Sequence, residues 1–134
     1  MSPTRNAAFT LLLTLACTGS PQFGTVELGD LTVEGVVDPD YLYLQLQQLD
    51  PTFEACYVRA LRRDRSAEGA IEIRMRGTNG KLQSEITLNE TESGDLADCM
   101  ITAMNSLTIV ERDSTESWDF VADWSVKFAI IRRD

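Results

Sequence analysis

Asn79-Gly80 stands between two runs that alternate apolar and polar residues, Ile71 to Arg76 before it and Leu82 to Leu88 after it. Asn-Gly favours the two-residue type I′ turn, whose twist matches that of antiparallel strands. A turn this short fixes the register. Ile73 then lies opposite Ile86, Ile71 opposite Leu88 and Met75 opposite Ser84, while Arg74 with Glu85 and Glu72 with Thr87 fall on the other face. A slip of one residue sends every apolar side chain to the wrong face, so the hairpin is strongly specified.

The remaining elements are arranged around this hairpin. Thr25 to Leu28 and Leu31 to Glu34 each alternate, with Gly29-Asp30 between them as a turn or bulge. Asp38-Pro39 supplies an N-cap and a proline at the first helical position, and Asp50-Pro51 repeats that signal. The helix should therefore break or kink before Pro51 and resume through Arg63. Phe53, Cys56, Tyr57, Ala60 and Leu61 form one apolar stripe on the resumed segment, with Glu54, Arg59, Arg62 and Arg63 mostly outside it. Ser93-Gly94-Asp95 starts a second stripe of Leu96, Cys99, Met100, Ala103 and Leu107. From Trp118 a long final strand places Phe120, Ala122, Trp124, Val126, Phe128 and Ile130 on one face, with Asp119, Asp123, Ser125 and Lys127 on the other.

The simplest assembly is α+β: an antiparallel sheet with two helices packed on one face, in the order β-α-β-β-α-β. Residues 25–134 form this single domain. The long final strand could support partner-strand addition at a sheet edge, and which strand forms that edge is left open.

The N-terminus reads as an export signal. Arg5 precedes an apolar run from Ala7 to Ala16, and Gly19-Ser20-Pro21 stops it well short of the about 20 residues needed to span a bilayer. Residues 1–16 are read as a cleaved signal, and Cys17 as the lipidated first residue of the mature chain. Leu15-Ala16-Cys17 resembles a bacterial lipobox, although Thr14 replaces the usual leucine at its start. Cleavage after Ala16 by an ordinary signal peptidase, giving a soluble periplasmic protein, is the alternative. Residues 17–24 form a short tether. Thr18, rather than Asp, after the cysteine favours the periplasmic face of the outer membrane.

Export also makes the three cysteines informative, because the destination is oxidising. Lipidating Cys17 leaves Cys56 and Cys99, both inward on neighbouring helices and able to meet. A bridge between them would contribute about 4 kcal/mol in the chain-entropy model. Their spacing lacks a Cys-x-x-Cys arrangement, which favours a staple over a redox switch.

Twelve basic residues against 21 acidic ones give a net charge of −9. That balance argues against nucleic acid as a partner and against docking on anionic headgroups, so lipid must supply membrane attachment. Histidine is absent, which removes histidine-based triads, general bases and metal ligands. The acidic pairs Asp38/Asp40, Asp95/Asp98 and Asp119/Asp123 read as helix starts or a wet strand face rather than acid–base pairs or calcium ligands. No cofactor, metal or catalytic residue is implied. Arg59, Arg62, Arg63 and Arg65 make the one basic cluster, able to meet an acidic partner or a phosphate headgroup, or to form a solvated helix end that complements the dipole.

A family resemblance emerges from Gly35, the run from Leu49 to Cys56-Tyr57, Leu61, Gly69, Gly80 and Asp98-Cys99. Residues 31–130 resemble the AgmX/PglI C-terminal domain, a TonB C-terminal-like module of gliding-motility and envelope proteins. The resemblance implies a TonB-like arrangement, a pairing of Cys56 with Cys99, and partner binding by strand addition. The aromatic-proline motif and final-strand proline of that family are missing here. The functional expectation is a non-enzymatic envelope lipoprotein that binds an envelope protein, with Arg59, Arg62, Arg63, Trp124 and Lys127 as candidate contacts. The competing expectation is a carboxylate-based enzyme or enzyme accessory acting on cell-wall material, which requires two carboxylates across a cleft, one with a raised pKa.

Overall fold

The structure, a computed structural model, describes residues 24–78, 81–109 and 119–131. In chain order the elements are β1 (Gly24–Gly35), α1 (Pro39–Gln47), α2 (Asp50–Arg63), β2 (Gly69–Thr78), β3 (Lys81–Asn89), α3 (Gly94–Asn105) and β4 (Asp119–Ile130). All neighbouring strands are antiparallel, and the sheet order is β1-β4-β2-β3. The α+β class is as expected, with three helical segments in place of two. The proposed signal, Cys17 and the tether up to residue 23 lie outside the described residues, as do Asn79-Gly80 and Trp118.

Helix α1 begins as its sequence dictates. The Asp38 carboxylate accepts from the Asp40 amide at 3.1 Å, and Pro39 follows in the first turn. The break before Pro51 is also present, but it is slight. Gln48 and Leu49 keep right-handed helical backbone, Leu49 is the N-cap of α2, and Asp50 falls inside the first turn instead of capping it. The helix starts without a side-chain cap: Pro51 in its first turn has no N–H to leave unpaired, and the Leu49 carbonyl takes the Phe53 amide at 2.8 Å as the first helical bond.

The α2 stripe of Phe53, Cys56, Tyr57, Ala60 and Leu61 is buried as expected. In α3 the Ser93 hydroxyl caps the Leu96 amide at 3.1 Å. Its buried side chains are Leu96, Ala97, Met100 and Met104, whereas Cys99 and Ala103 are half-buried. The stripe is rotated from the expected one because α3 packs against both α2 and β3.

Strand β4 places Phe120, Ala122, Trp124, Val126, Phe128 and Ile130 into the core, matching the alternation in the sequence. Its position answers the open question of the edge: it is an interior strand between β1 and β2. Phe53 packs on Trp124 with ring centroids 5.9 Å apart, and Tyr57 meets Phe128 edge-on at 5.0 Å. The buried Tyr57 hydroxyl donates to the Ala67 carbonyl at 2.6 Å. These aromatic contacts fasten α2 to the middle of the sheet.

The β2–β3 hairpin pairs Thr78 with Lys81, Met75 with Ser84, Arg74 with Glu85 and Ile73 with Ile86. Beyond Ile73 the register shifts, so Glu72 faces Leu88 and Ile71 faces Asn89, in place of the expected Thr87 and Leu88. The extra residue forms a bulge at which the Thr87 hydroxyl donates to the Glu72 carbonyl at 3.1 Å. Its consequence is local: Leu88 turns out of the core and is 43% exposed.

Candidate functional site

Two surfaces bring together the chemistry read from the sequence. The first is a groove of about 740 Å³ between α2 and α3. Cys56 from α2 and Cys99 from α3 are joined there as a disulfide, with Cα atoms 5.8 Å apart. Arg59, Arg62 and Arg63 line the groove on the α2 side, and Asp95 and Asp98 on the α3 side.

The Arg59 guanidinium donates to Cys99 Sγ at 2.9 Å, and Arg63 pairs with Asp95 at 2.8 Å. The second pair is well exposed on both sides, which limits its contribution to stability. Arg62 makes no hydrogen bond or ion pair among the described residues. The groove is therefore of mixed charge, with its acidic and basic walls partly neutralising each other.

The second surface is the sheet perimeter, to which the final strand does not belong. Trp124 is 2% exposed, and its indole Nε1–H donates to the Gly29 carbonyl at 3.0 Å. It cannot serve as a partner contact, because the large inward side chains of β4 fill the centre of the core. Lys127 is exposed, but it stands on the open sheet face with Glu27 of β1 and Ala70 of β2 as its register neighbours. Both hydrogen-bonding sides of β4 are occupied, so no partner strand can add to it.

The perimeter strands are β1 and β3. The outer side of β3 is partly occupied: the Asn105 carboxamide accepts from the Ser84 amide at 3.0 Å, and Thr108 bridges to Lys81. Strand β1 pairs with β4 alone among the described residues. The Val36 amide bonds the Asp119 carbonyl at 3.4 Å, and by the two-residue alternation of an antiparallel ladder Glu34 and Thr32 also face β4. The backbone groups of Leu31 and Val33 consequently point outward.

The side chains of β1 show the same incompleteness. Val26, Leu28, Leu31 and Val33 lie against the core yet are only half-buried, while Thr25, Glu27, Asp30, Thr32 and Glu34 are exposed. Strand β1 carries modest aliphatic residues and Gly29-Asp30 where β4 carries Phe120, Trp124 and Phe128. Acidic residues and a bulge are features that protect an edge from unspecific pairing.

On the open face, Arg74 donates to both Asp123 oxygens, at 2.9 and 3.2 Å. The hydrogen bonds from Arg74 hold the Asp123 carboxyl below its ordinary value, and Asp123 in turn raises Arg74. Asp64 is lowered as well, by the Ser66 hydroxyl and then its amide. Both carboxyl shifts run opposite to what a general acid requires. Of the other acidic pairs, Asp38 caps α1, Asp95 pairs with Arg63, and Asp119 is exposed at the start of β4.

Among the described residues no group of three or more Cys, Asp or Glu side chains is placed to hold a metal ion, and no helix is long and apolar enough to cross a membrane. No protein-family model, no curated protein and no solved structure matches this chain.

Proposed function

We propose that this chain is a non-enzymatic envelope lipoprotein, carried on the periplasmic face of the outer membrane by lipid on Cys17, whose single domain binds a partner protein by strand pairing. The observation that carries the reading is that β1 pairs on one side only among the described residues, with the N–H and C=O groups of Leu31 and Val33 directed outward. An edge unpaired among the described residues is an attachment point for a strand. The resemblance to the AgmX/PglI C-terminal domain supports the same reading, with β1 in place of the final strand as the docking edge.

The tether supports it too. From Cys17 to Gly24 the extended chain reaches at most about 25 Å, so a lipidated Cys17 keeps β1 close to the bilayer surface and to the envelope proteins there. Loss of Arg5 with residues 1–16 makes the net charge −10 in place of −9, which leaves the lipid, and not electrostatic attraction, to hold the protein on anionic headgroups.

A photo-crosslinking residue at Val33, compared with one at Gln83 on β3, tests the proposal in intact envelopes. The expected result is a discrete protein adduct from Val33 and none from Gln83. Absence of any adduct from Val33 contradicts it.

A further inference from the structure

The open arm of β1 differs from an ordinary edge in the chemistry it displays, and that chemistry selects among partners. We infer that the segment it accepts is a strand in which apolar residues alternate with lysine or arginine. The inference rests on the strand-pairing reading above and concerns only the composition of the partner.

The bulge confines continuous pairing to one side of Gly29-Asp30. Leu28 pairs with Val126 and Leu31 with Trp124, so β1 carries one more residue than β4 between those points, and a straight partner strand cannot follow both arms. The arm from Leu31 to Gly35 is the one whose outward backbone groups follow from the Val36–Asp119 bond. Along it, Leu31 and Val33 are half-buried on the helix side of the sheet. An incoming strand completes their burial with its own apolar residues at alternate positions.

On the opposite face the arm shows Thr32 and Glu34, with Asp30 at the bulge, all exposed. Neither acid forms a salt bridge among the described residues. Arg74, whose charge Glu34 reinforces, is itself committed to Asp123. A partner placing lysine or arginine beside Glu34 and Asp30 gains opposite-charge cross-strand pairs, whereas an acidic one meets repulsion. The same repulsion disfavours a second copy of this chain, since two β1 edges would bring carboxylates together within a strongly acidic dimer.

The test is a titration of the full mature protein, labelled for amide NMR, with three short capped peptides. One alternates valine with lysine, one alternates valine with glutamate, and one has the lysine composition in two homogeneous blocks. The alternating lysine peptide should bind and shift the Leu31, Val33 and Gly35 amides. Asp30→Lys with Glu34→Lys should weaken it about tenfold, as expected for two lost charge pairs. Both positions are exposed, and far-ultraviolet circular dichroism checks that the variant folds.

Equal binding of the glutamate peptide or of the block peptide, shifts confined to the α2–α3 groove, or no binding of the alternating lysine peptide overturns the inference. An adduct from Val33 in envelopes together with failure of the lysine peptide would leave strand pairing standing and remove the basic partner. Loss of both removes both.

Discussion

The indole N–H of Trp124 on β4 reaches across the sheet to the main-chain carbonyl of Gly29 on β1, at 3.0 Å. The bond ties the bulge to the interior strand, because Gly29 lies where β1 carries its extra residue and the Trp124 indole donates to its carbonyl. Interior strand and edge strand are locked in register at that point. Trp124→Phe leaves the carbonyl without its partner and should destabilise the domain by about 1–3 kcal/mol, read as a lower urea midpoint. An unchanged midpoint would mean that the bulge is held by other contacts.

Phe120 is flanked in the sheet by two glycines, Gly35 on β1 and Gly77 on β2. A Cβ on Gly77 would overlap the Phe120 ring. Gly77→Ala should therefore cost about 1–3 kcal/mol through overpacking, and Phe120→Leu in the same chain should recover part of the loss. A double-mutant cycle by chemical denaturation measures that coupling, and strictly additive losses would show that the two positions act independently.

The Cys56–Cys99 bridge closes a loop with a sequence separation of 43. Reduction, or Cys56→Ser with Cys99→Ser, should lower stability by about 2–4 kcal/mol, whereas Cys17→Ser should leave the denaturation midpoint unchanged. A midpoint insensitive to reductant would show that the bridge adds nothing to a core that already buries Phe53, Tyr57 and Leu61 beside it.

The Arg74–Asp123 pair has a defined pH signature. Because Arg74 depresses the folded-state pKa of Asp123, the pair's contribution is present above the ordinary carboxyl pKa and is lost as pH falls through the lower folded value. Arg74→Ala should move the Asp123 titration, followed by carboxyl NMR, up toward the ordinary aspartate range. Both side chains are solvated, so global stability near neutrality should hardly change. An unmoved titration would remove Arg74 as the cause.

Much of the fold is visible in residue order because it depends on local pattern. The alternation in β4 and the stripe from Phe53 to Leu61 are periodicities that burial against one core must satisfy. The β3 bulge is different. Ile86-Thr87-Leu88 alternates whether or not the register shifts, and only the pairing with Glu72 and Ile71 shows that Leu88 turns outward.

Which strand lies at the edge is invisible for a similar reason. Alternation reports which face of a strand is buried and says nothing of its neighbours, so the length and apolarity of β4 suit a central strand as well as a perimeter one. Of the candidate contacts, Arg59, Arg62 and Arg63 do share one groove, as their spacing on α2 allows. Trp124 belongs to the core, where its size is needed.

The central claim, that the outer side of β1 receives a partner strand in the envelope, is tested most directly by amide hydrogen exchange over Leu31–Gly35. The comparison is between the purified mature protein and the same protein in its native membranes. Pairing predicts that the outward amides of Leu31 and Val33 exchange freely in the purified protein and become protected in the envelope, while Thr32 and Glu34, bonded to β4, stay protected in both. Equal, fast exchange of Leu31 and Val33 in both preparations would contradict it.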